Sequence, residues 1–125
     1  MATIKSFTSL EQSRKLAEIL PIESSDMYWD LLLKDKYARV NNIGHCLCRY
    51  CVYAWSLTAL LNCLREIDFF PNIEVDEHSV IMSISYYNEE EARPLAPVHN
   101  VIVEADTFVD ACYEMIIRLN ELNLL

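Results

Sequence analysis

Apolar residues recur with a helical period in three separate parts of this chain. In the first part, Thr8 and Glu11 have the spacing of a reciprocal capping box at a helix start. Leu16 and Leu20 then fall on one apolar face, and Pro21 is expected to end the segment. The pattern therefore predicts an amphipathic helix between Thr8 and Pro21.

The same period predicts a helix in the middle of the chain and another near its end. Ser56 is placed to cap the central helix, and Thr107 is placed to cap the last one. Asp110, Glu114 and Arg118 are expected to form a solvated edge of the last helix, with the latter two as an i,i+4 ion pair. The apolar faces consist of Leu57, Leu60, Leu61 and Leu64 in the central helix, and of Val109, Cys112, Tyr113, Ile116 and Leu119 in the last helix.

Strand patterns fill the intervals between these helices. Residues 28–33 and 37–41 are expected to pair as a hairpin, while the unbroken run Leu31–Leu33 is also compatible with a helix. Residues 80–87 alternate apolar with partly polar positions, and residues 98–105 resume the alternation after a break. These two segments are expected to form a long hairpin with an acidic loop at its tip.

Together these elements predict a single domain spanning residues 1–125. The expected fold class is α+β, with three helices packed on a small, mainly antiparallel sheet in the approximate order α-ββ-α-βββ-α. The chain opens without an apolar signal region, and its most apolar stretch, residues 50–64, is too short to cross a bilayer. We therefore expect a cytoplasmic protein without a membrane span, whose five cysteines are reduced.

Charge is distributed unevenly along the chain, whose formal net charge is −9. Residues 1–65 hold eight Lys and Arg against six Asp and Glu, whereas residues 66–125 hold two against thirteen. Because phosphate binding needs clustered Lys and Arg side chains, direct nucleic-acid binding is disfavoured.

The densest carboxylates flank the predicted C-terminal hairpin. They are Glu74, Asp76, Glu77, Glu89, Glu90 and Glu91, with Glu104 and Asp106 nearby. One interpretation is a solubilising surface that also protects strand edges, and the other is an acidic interaction face for a basic protein partner. Separately, Leu122, Leu124 and Leu125 leave an apolar C-terminal tip that would permit a homodimer.

A cluster of potential metal ligands precedes the central helix. His45, Cys46, Cys48 and Cys51 contain one Cys-x-x-Cys pair, the spacing of a zinc knuckle or of a redox motif. A tetrahedral zinc site needs four ligands, and the sequence holds no second pair of this kind. Semi-buried structural cysteines are therefore favoured, no metal or cofactor is expected, and a small zinc-binding module is the alternative.

The sequence shows no local catalytic motif. Gly44 is its only glycine, whereas phosphate-cradling loops and nucleophile elbows need several. His78 and His99 have no partner in sequence, but a Cys nucleophile and a His base could still meet in space. The favoured prediction is a non-enzymatic protein that acts through protein-protein interaction.

Three segments of the chain resemble a known family. They read IKSFTSLEQSRKLAEILP at residues 4–21, AWSLTALL at residues 54–61 and VDACYEMI at residues 109–116. These segments are similar to a family of short uncharacterised proteins encoded in prophage and mobile-element regions of gut anaerobic bacteria. The resemblance implies a phage-associated cytoplasmic protein, and it implies no activity, cofactor or catalytic residue.

Overall fold

The structure is a computed structural model that describes residues 5–31, 38–40, 51–66, 71–86 and 99–125. Over these residues the chain forms three α-helices, one short 3₁₀ helix and six strands. In chain order they are α1 (Leu10–Ala17), the 3₁₀ helix (Ile22–Ser24), β1 (Met27–Asp30), β2 (Ala38–Val40), β3 (Cys51–Ala54), α2 (Leu57–Glu66), β4 (Asn72–Val75), β5 (Val80–Tyr86), β6 (His99–Ala105) and α3 (Phe108–Glu121). The predicted α+β class and the approximate order of elements are confirmed.

The described strands form two antiparallel sheets of three strands each. The N-terminal sheet has the order β2-β1-β3, and the C-terminal sheet has the order β4-β5-β6. Both predicted hairpins are confirmed as pairings, β1 with β2 and β5 with β6, the latter running from Val80 opposite Ala105 to Tyr86 opposite His99. The loop expected at the tip of the second hairpin lies outside the described residues.

Strand β3 was not predicted, and it completes the N-terminal sheet as its third strand. It pairs with β1, placing Tyr53 opposite Tyr28 and Ala54 opposite Met27. Its four residues are apolar on both faces and run almost directly into α2. A strand without alternation that adjoins an apolar helix has no periodic signature of its own.

The core lies between the C-terminal sheet and the helices, with α3 in contact with α1, α2, β5 and β6. Met82 and Ile84 of β5 belong to one buried cluster with Met115 and Leu119 of α3, and the fully buried Trp55 is part of the same cluster. Each large apolar side chain that is fully buried contributes about 1.5–3 kcal/mol to folding. The predicted apolar faces of α2 and α3 are therefore the faces that make the core.

Helix α1 begins one residue later than predicted. Its N-cap is Ser9, whose Oγ accepts from the Gln12 backbone N–H at 3.2 Å, while the Gln12 Oε1 accepts from the Ser9 N–H at 3.0 Å. Thr8 is held instead by a long-range contact, because its backbone N–H donates to the Trp55 carbonyl at 2.9 Å. The helix also ends at Ala17, before Pro21, which caps the 3₁₀ helix.

None of the helices in the described segments is long and apolar enough to span a membrane. The longest of them, α3, has 14 residues.

Candidate functional site

An apolar cleft of about 460 Å³ lies where the N-termini of α2 and α3 meet the turn between β4 and β5. Leu57 and Val80 form its inner wall, and Val75 and Phe108 stand at its mouth. Val75 is 65% exposed and Phe108 is 39% exposed, whereas Val80 is 4% exposed. The described part of the molecule thus presents an open apolar depression with two uncovered apolar side chains.

The β4–β5 turn leaves Val75 uncovered. Val75 pairs with Val80 in the register of the sheet, so both side chains lie on the face that packs against the helices. The turn is closed by the Asp76 N–H, which donates to the Ser79 carbonyl at 2.9 Å, and by the Glu77 N–H, which donates to the Asp76 Oδ1 at 2.6 Å. The end of β4 therefore extends beyond the helical layer and carries an apolar residue with it.

Each helix N-terminus beside the cleft is capped by side chains of the chain itself. At α2, the Ser56 Oγ accepts from the Ala59 N–H at 3.2 Å, and Asp26 accepts from both the Ser56 N–H, at 2.8 Å, and the Ser56 hydroxyl. At α3, the Thr107 Oγ1 accepts from the Asp110 N–H at 3.1 Å. The predicted caps are confirmed, so a side-chain oxygen accepts from a backbone N–H group in the first turn of each helix.

Lys5 lines the cleft, but its charge is already neutralised. Its Nζ lies 2.6 Å from the Asp110 Oδ1 and 2.8 Å from the Gln12 Oε1, and the Gln12 Nε2 donates to the same Asp110 oxygen at 2.8 Å. Burial alone would raise the Asp110 pKa, but hydrogen bonds from Lys5, Gln12 and Thr107 outweigh it and hold the pKa below its ordinary value.

The expected solvated edge of α3 is therefore wrong at Asp110, because a lysine from the N-terminal segment reaches it. Arg118 also pairs with a different residue from the predicted Glu114. The Arg118 Nη1 lies 3.3 Å from the Glu121 Oε2, one i,i+3 step along the helix, and not beside Glu114. Both side chains of this pair are more than half exposed, so it adds little to stability.

Exposed carboxylates lie at the end of the C-terminal sheet that carries the cleft, and we name five of them the acidic rim. They are Glu74, Asp76, Glu77, Glu104 and Asp106. Asp76 and Asp106 line the cleft itself. Glu74 and Glu104 lie on the outer face of the C-terminal sheet, where they flank Ile81 in one cross-strand row.

Within the described ranges, no Lys or Arg forms an ion pair with the acidic rim. The exposed imidazole of His78 lies 4.0 Å from the Glu77 Oε2. A second groove adjoins the rim on the α3 side and contains Glu104, Asp106 and Glu114. Among the described residues, the carboxylates of the acidic rim thus lie at one end of the C-terminal sheet.

The structure places only part of the predicted interaction face. Glu74, Asp76 and Glu77 come together at the acidic rim, whereas Glu89, Glu90 and Glu91 lie outside the described residues. The reasoning from sequence missed Val75 and Phe108, which precede an acidic turn and a helix stripe, respectively. Two signals in the sequence could have indicated them as exposed apolar residues. Val75 ends a polar strand, and Phe108 lies outside the apolar stripe of α3.

The predicted metal cluster cannot be placed, because His45, Cys46 and Cys48 lie outside the described residues. Cys51 lies in β3 opposite Asp30 and is partly buried. Among the described residues, no group of three His, Cys, Asp or Glu side chains could hold a metal ion. The zinc-binding alternative stays a prediction, which elemental analysis of the purified protein tests.

Two described cysteines are buried thiols, as the sequence suggested. Burial raises the pKa of Cys112 to about 12, and burial is also the largest influence raising the pKa of Cys63. Both thiols are therefore protonated at neutral pH, which makes them poor nucleophiles. Of the histidines, His78 is exposed in the β4–β5 turn, and His99 stacks on Tyr86 with ring centroids 5.2 Å apart.

The apolar C-terminal tip is partly docked. Leu124 packs against the core, and its N–H donates to the Leu119 carbonyl at 2.9 Å. Leu122 and Leu125 remain 40% and 41% exposed. The surface available for the predicted homodimer is therefore smaller than the sequence suggested.

No protein-family model, curated protein or solved structure matches this chain. The resemblance to short prophage proteins accordingly stays a prediction. The cleft and its acidic rim are the features on which a function can be proposed.

Proposed function

We propose that this chain is a non-enzymatic accessory protein of a phage or mobile element, and that it binds a basic segment of a protein partner through its acidic rim. The phage association rests on the resemblance of three segments, and the mode of action rests on the rim. The single observation that supports binding is the group of exposed carboxylates at the cleft end of the C-terminal sheet, two of which line the cleft and to which the described residues supply no Lys or Arg partner.

Charge sign determines the class of partner in this proposal. A surface rich in carboxylates repels nucleic-acid phosphates and attracts lysine and arginine side chains. Complementary charge accelerates encounter and selects among partners, and its effect falls as salt screens it. The partner is therefore a protein segment with several cationic side chains, which the chain would meet in the cytoplasm.

Binding of a short, fluorescently labelled lysine-rich peptide tests the proposal. The rim variant carries Asp76→Asn, Glu77→Gln and Asp106→Asn. The matched control removes three other exposed carboxylates through Glu18→Gln, Glu23→Gln and Glu66→Gln, so both variants have the same net charge. Fluorescence anisotropy at low salt is expected to give about tenfold weaker binding for the rim variant and a small change for the control.

Two results would contradict the proposal. Equal losses in the rim variant and in the control would mean that the peptide responds to net charge and not to a site. Failure of the wild-type chain to bind the peptide at any salt concentration would remove the acidic rim as a binding surface for basic segments.

A further inference from the structure

We infer that the cleft receives one apolar side chain of the basic segment, so that the partner motif is a leucine-sized residue flanked by lysine or arginine. This inference rests on the proposed function and adds the feature that gives it specificity. A volume of about 460 Å³ is within the range of about 300–1,000 Å³ that is typical of ligand pockets.

One row of the C-terminal sheet is only partly covered by the helices, and this is the reason for proposing that an apolar side chain of the partner, here called the anchor, enters the cleft. On the helix-facing side of β5, Val80, Met82 and Ile84 are 4%, 0% and 2% exposed, because they lie in the buried cluster against which α3 packs. Val75 lies on the same side in the row of Val80, yet it is 65% exposed. An apolar side chain in the cleft would cover this last row as the helices cover the others.

Phe108 supplies apolar surface at the mouth of the cleft from the helical side. It is the first residue of α3 and lies outside the buried stripe of that helix, so 39% of it remains exposed. Val75 and Phe108 thus offer apolar surface from two different elements to one occupant. Burial of such surface is the main source of affinity at anchor positions of protein interfaces.

The charges around the cleft favour cationic flanks over anionic ones. A helix N-terminus would ordinarily attract an anion, but Asp26 accepts from Ser56 at the start of α2, and the Thr107 hydroxyl oxygen caps an N–H group at the start of α3. Asp76 and Asp106 also line the cleft, and no described Lys or Arg pairs with them. Residues on either side of the anchor would therefore meet negative charge.

Four labelled peptides of equal length test the inference. The first has a leucine between pairs of lysines, the second replaces that leucine with serine, and the third replaces the lysines with glutamates. The fourth carries both replacements, with a serine between pairs of glutamates. Anisotropy with the wild-type chain is expected to show about tenfold tighter binding of the lysine peptide with leucine than of the lysine peptide with serine.

A pair of matched variants locates the anchor. The cleft variant, Val75→Thr with Phe108→Ser, removes apolar surface at the cleft. The control variant, Ile102→Thr with Leu122→Ser, removes exposed apolar surface away from the cleft, since Ile102 is 66% exposed and Leu122 is 40% exposed. The cleft variant is expected to reduce the preference for leucine to less than threefold, and the control is expected to keep it. Circular dichroism and urea unfolding verify that both variants fold.

The outcomes separate this inference from the proposed function. Equal binding of both lysine peptides would overturn the anchor and leave the acidic rim as a binding surface, whereas binding of neither would overturn both. A preference for leucine that survives in the cleft variant would place the anchor elsewhere and overturn the inference. Tighter binding of the glutamate peptide with leucine would also overturn it, since the helix N-termini would then dominate.

Discussion

The side chains of Lys5 and Asp110, 105 positions apart in the sequence, meet in an ion pair with 2.6 Å between Nζ and Oδ1. Each side chain is 27% exposed, so solvent screens the pair only in part. Gln12 joins it by accepting from Lys5 and donating to Asp110. The N-terminal segment, α1 and α3 are therefore connected at one polar contact beside the cleft.

Removal of the Asp110 charge is expected to destabilise the fold. In Asp110→Asn, the ammonium of Lys5 loses its carboxylate and stays partly buried, so we expect a decrease of about 1 kcal/mol in the free energy of unfolding. Urea unfolding at neutral pH measures this change. Glu18→Gln is the control, because the pair of Glu18 with Lys15 is 3.7 Å long and exposed. A similar decrease in the control would contradict the role given to Asp110.

The same carboxylate predicts how stability depends on pH. The pKa of Asp110 is lowered from its ordinary value of 3.8, so its ionised form is favoured in the folded state. Its contribution is complete above the unfolded pKa and is lost as pH falls through the folded pKa. The difference in unfolding free energy between wild type and Asp110→Asn is therefore constant from neutral pH to about pH 5 and narrows below about pH 4. A difference that is unchanged at the acid end would contradict this.

A buried chain of hydrogen bonds predicts a second sensitive position. The Ser13 Oγ donates to the Ser9 carbonyl at 2.6 Å, so in its contact of 2.7 Å with the Thr8 Oγ1 the threonine is the donor. The Thr8 Oγ1 in turn accepts from the Trp55 N–H at 3.1 Å. Thr8→Val keeps the shape of the side chain, leaves the buried Trp55 N–H without its acceptor, and removes the hydrogen bond that the Ser13 Oγ accepts. We expect a loss of about 1–3 kcal/mol in urea unfolding.

Thr8→Ser is the matched control for that substitution, because it retains the hydroxyl group and removes only a methyl group. It is expected to lose clearly less stability than Thr8→Val. If both variants lost the same amount, the methyl group and not the hydrogen-bond chain would account for the effect.

The buried thiols are expected to resist alkylation in the native protein. Cys112 has a pKa of about 12 and is fully buried, and Cys63 is 7% exposed with a raised pKa. Iodoacetamide at neutral pH, followed by peptide mass spectrometry, is expected to modify both much more slowly in the native state than in urea. Rapid native labelling of Cys112 would mean that α3 opens frequently from the core.

Much of the fold follows from local patterns in the sequence. The apolar stripes of α2 and α3, their caps Ser56 and Thr107, and the alternation of β5 each involve residues within a few positions of one another. Such patterns report which face of an element will be buried. The sequence alone also determined that the C-terminal half is strongly acidic and that its carboxylates group near the second hairpin.

Tertiary structure alone decided the features that depend on distant residues. The choice of Ser9 over Thr8 as the N-cap of α1 depends on Trp55, and the withdrawal of Asp110 from solvent depends on Lys5. The cleft likewise exists because β4 extends past two helix N-termini that adjoin it only in the folded chain. The periodicity of a sequence reports the buried face of one helix or strand at a time. The exposure of Val75 and Phe108 depends instead on where the ends of β4, α2 and α3 lie relative to one another in the folded chain.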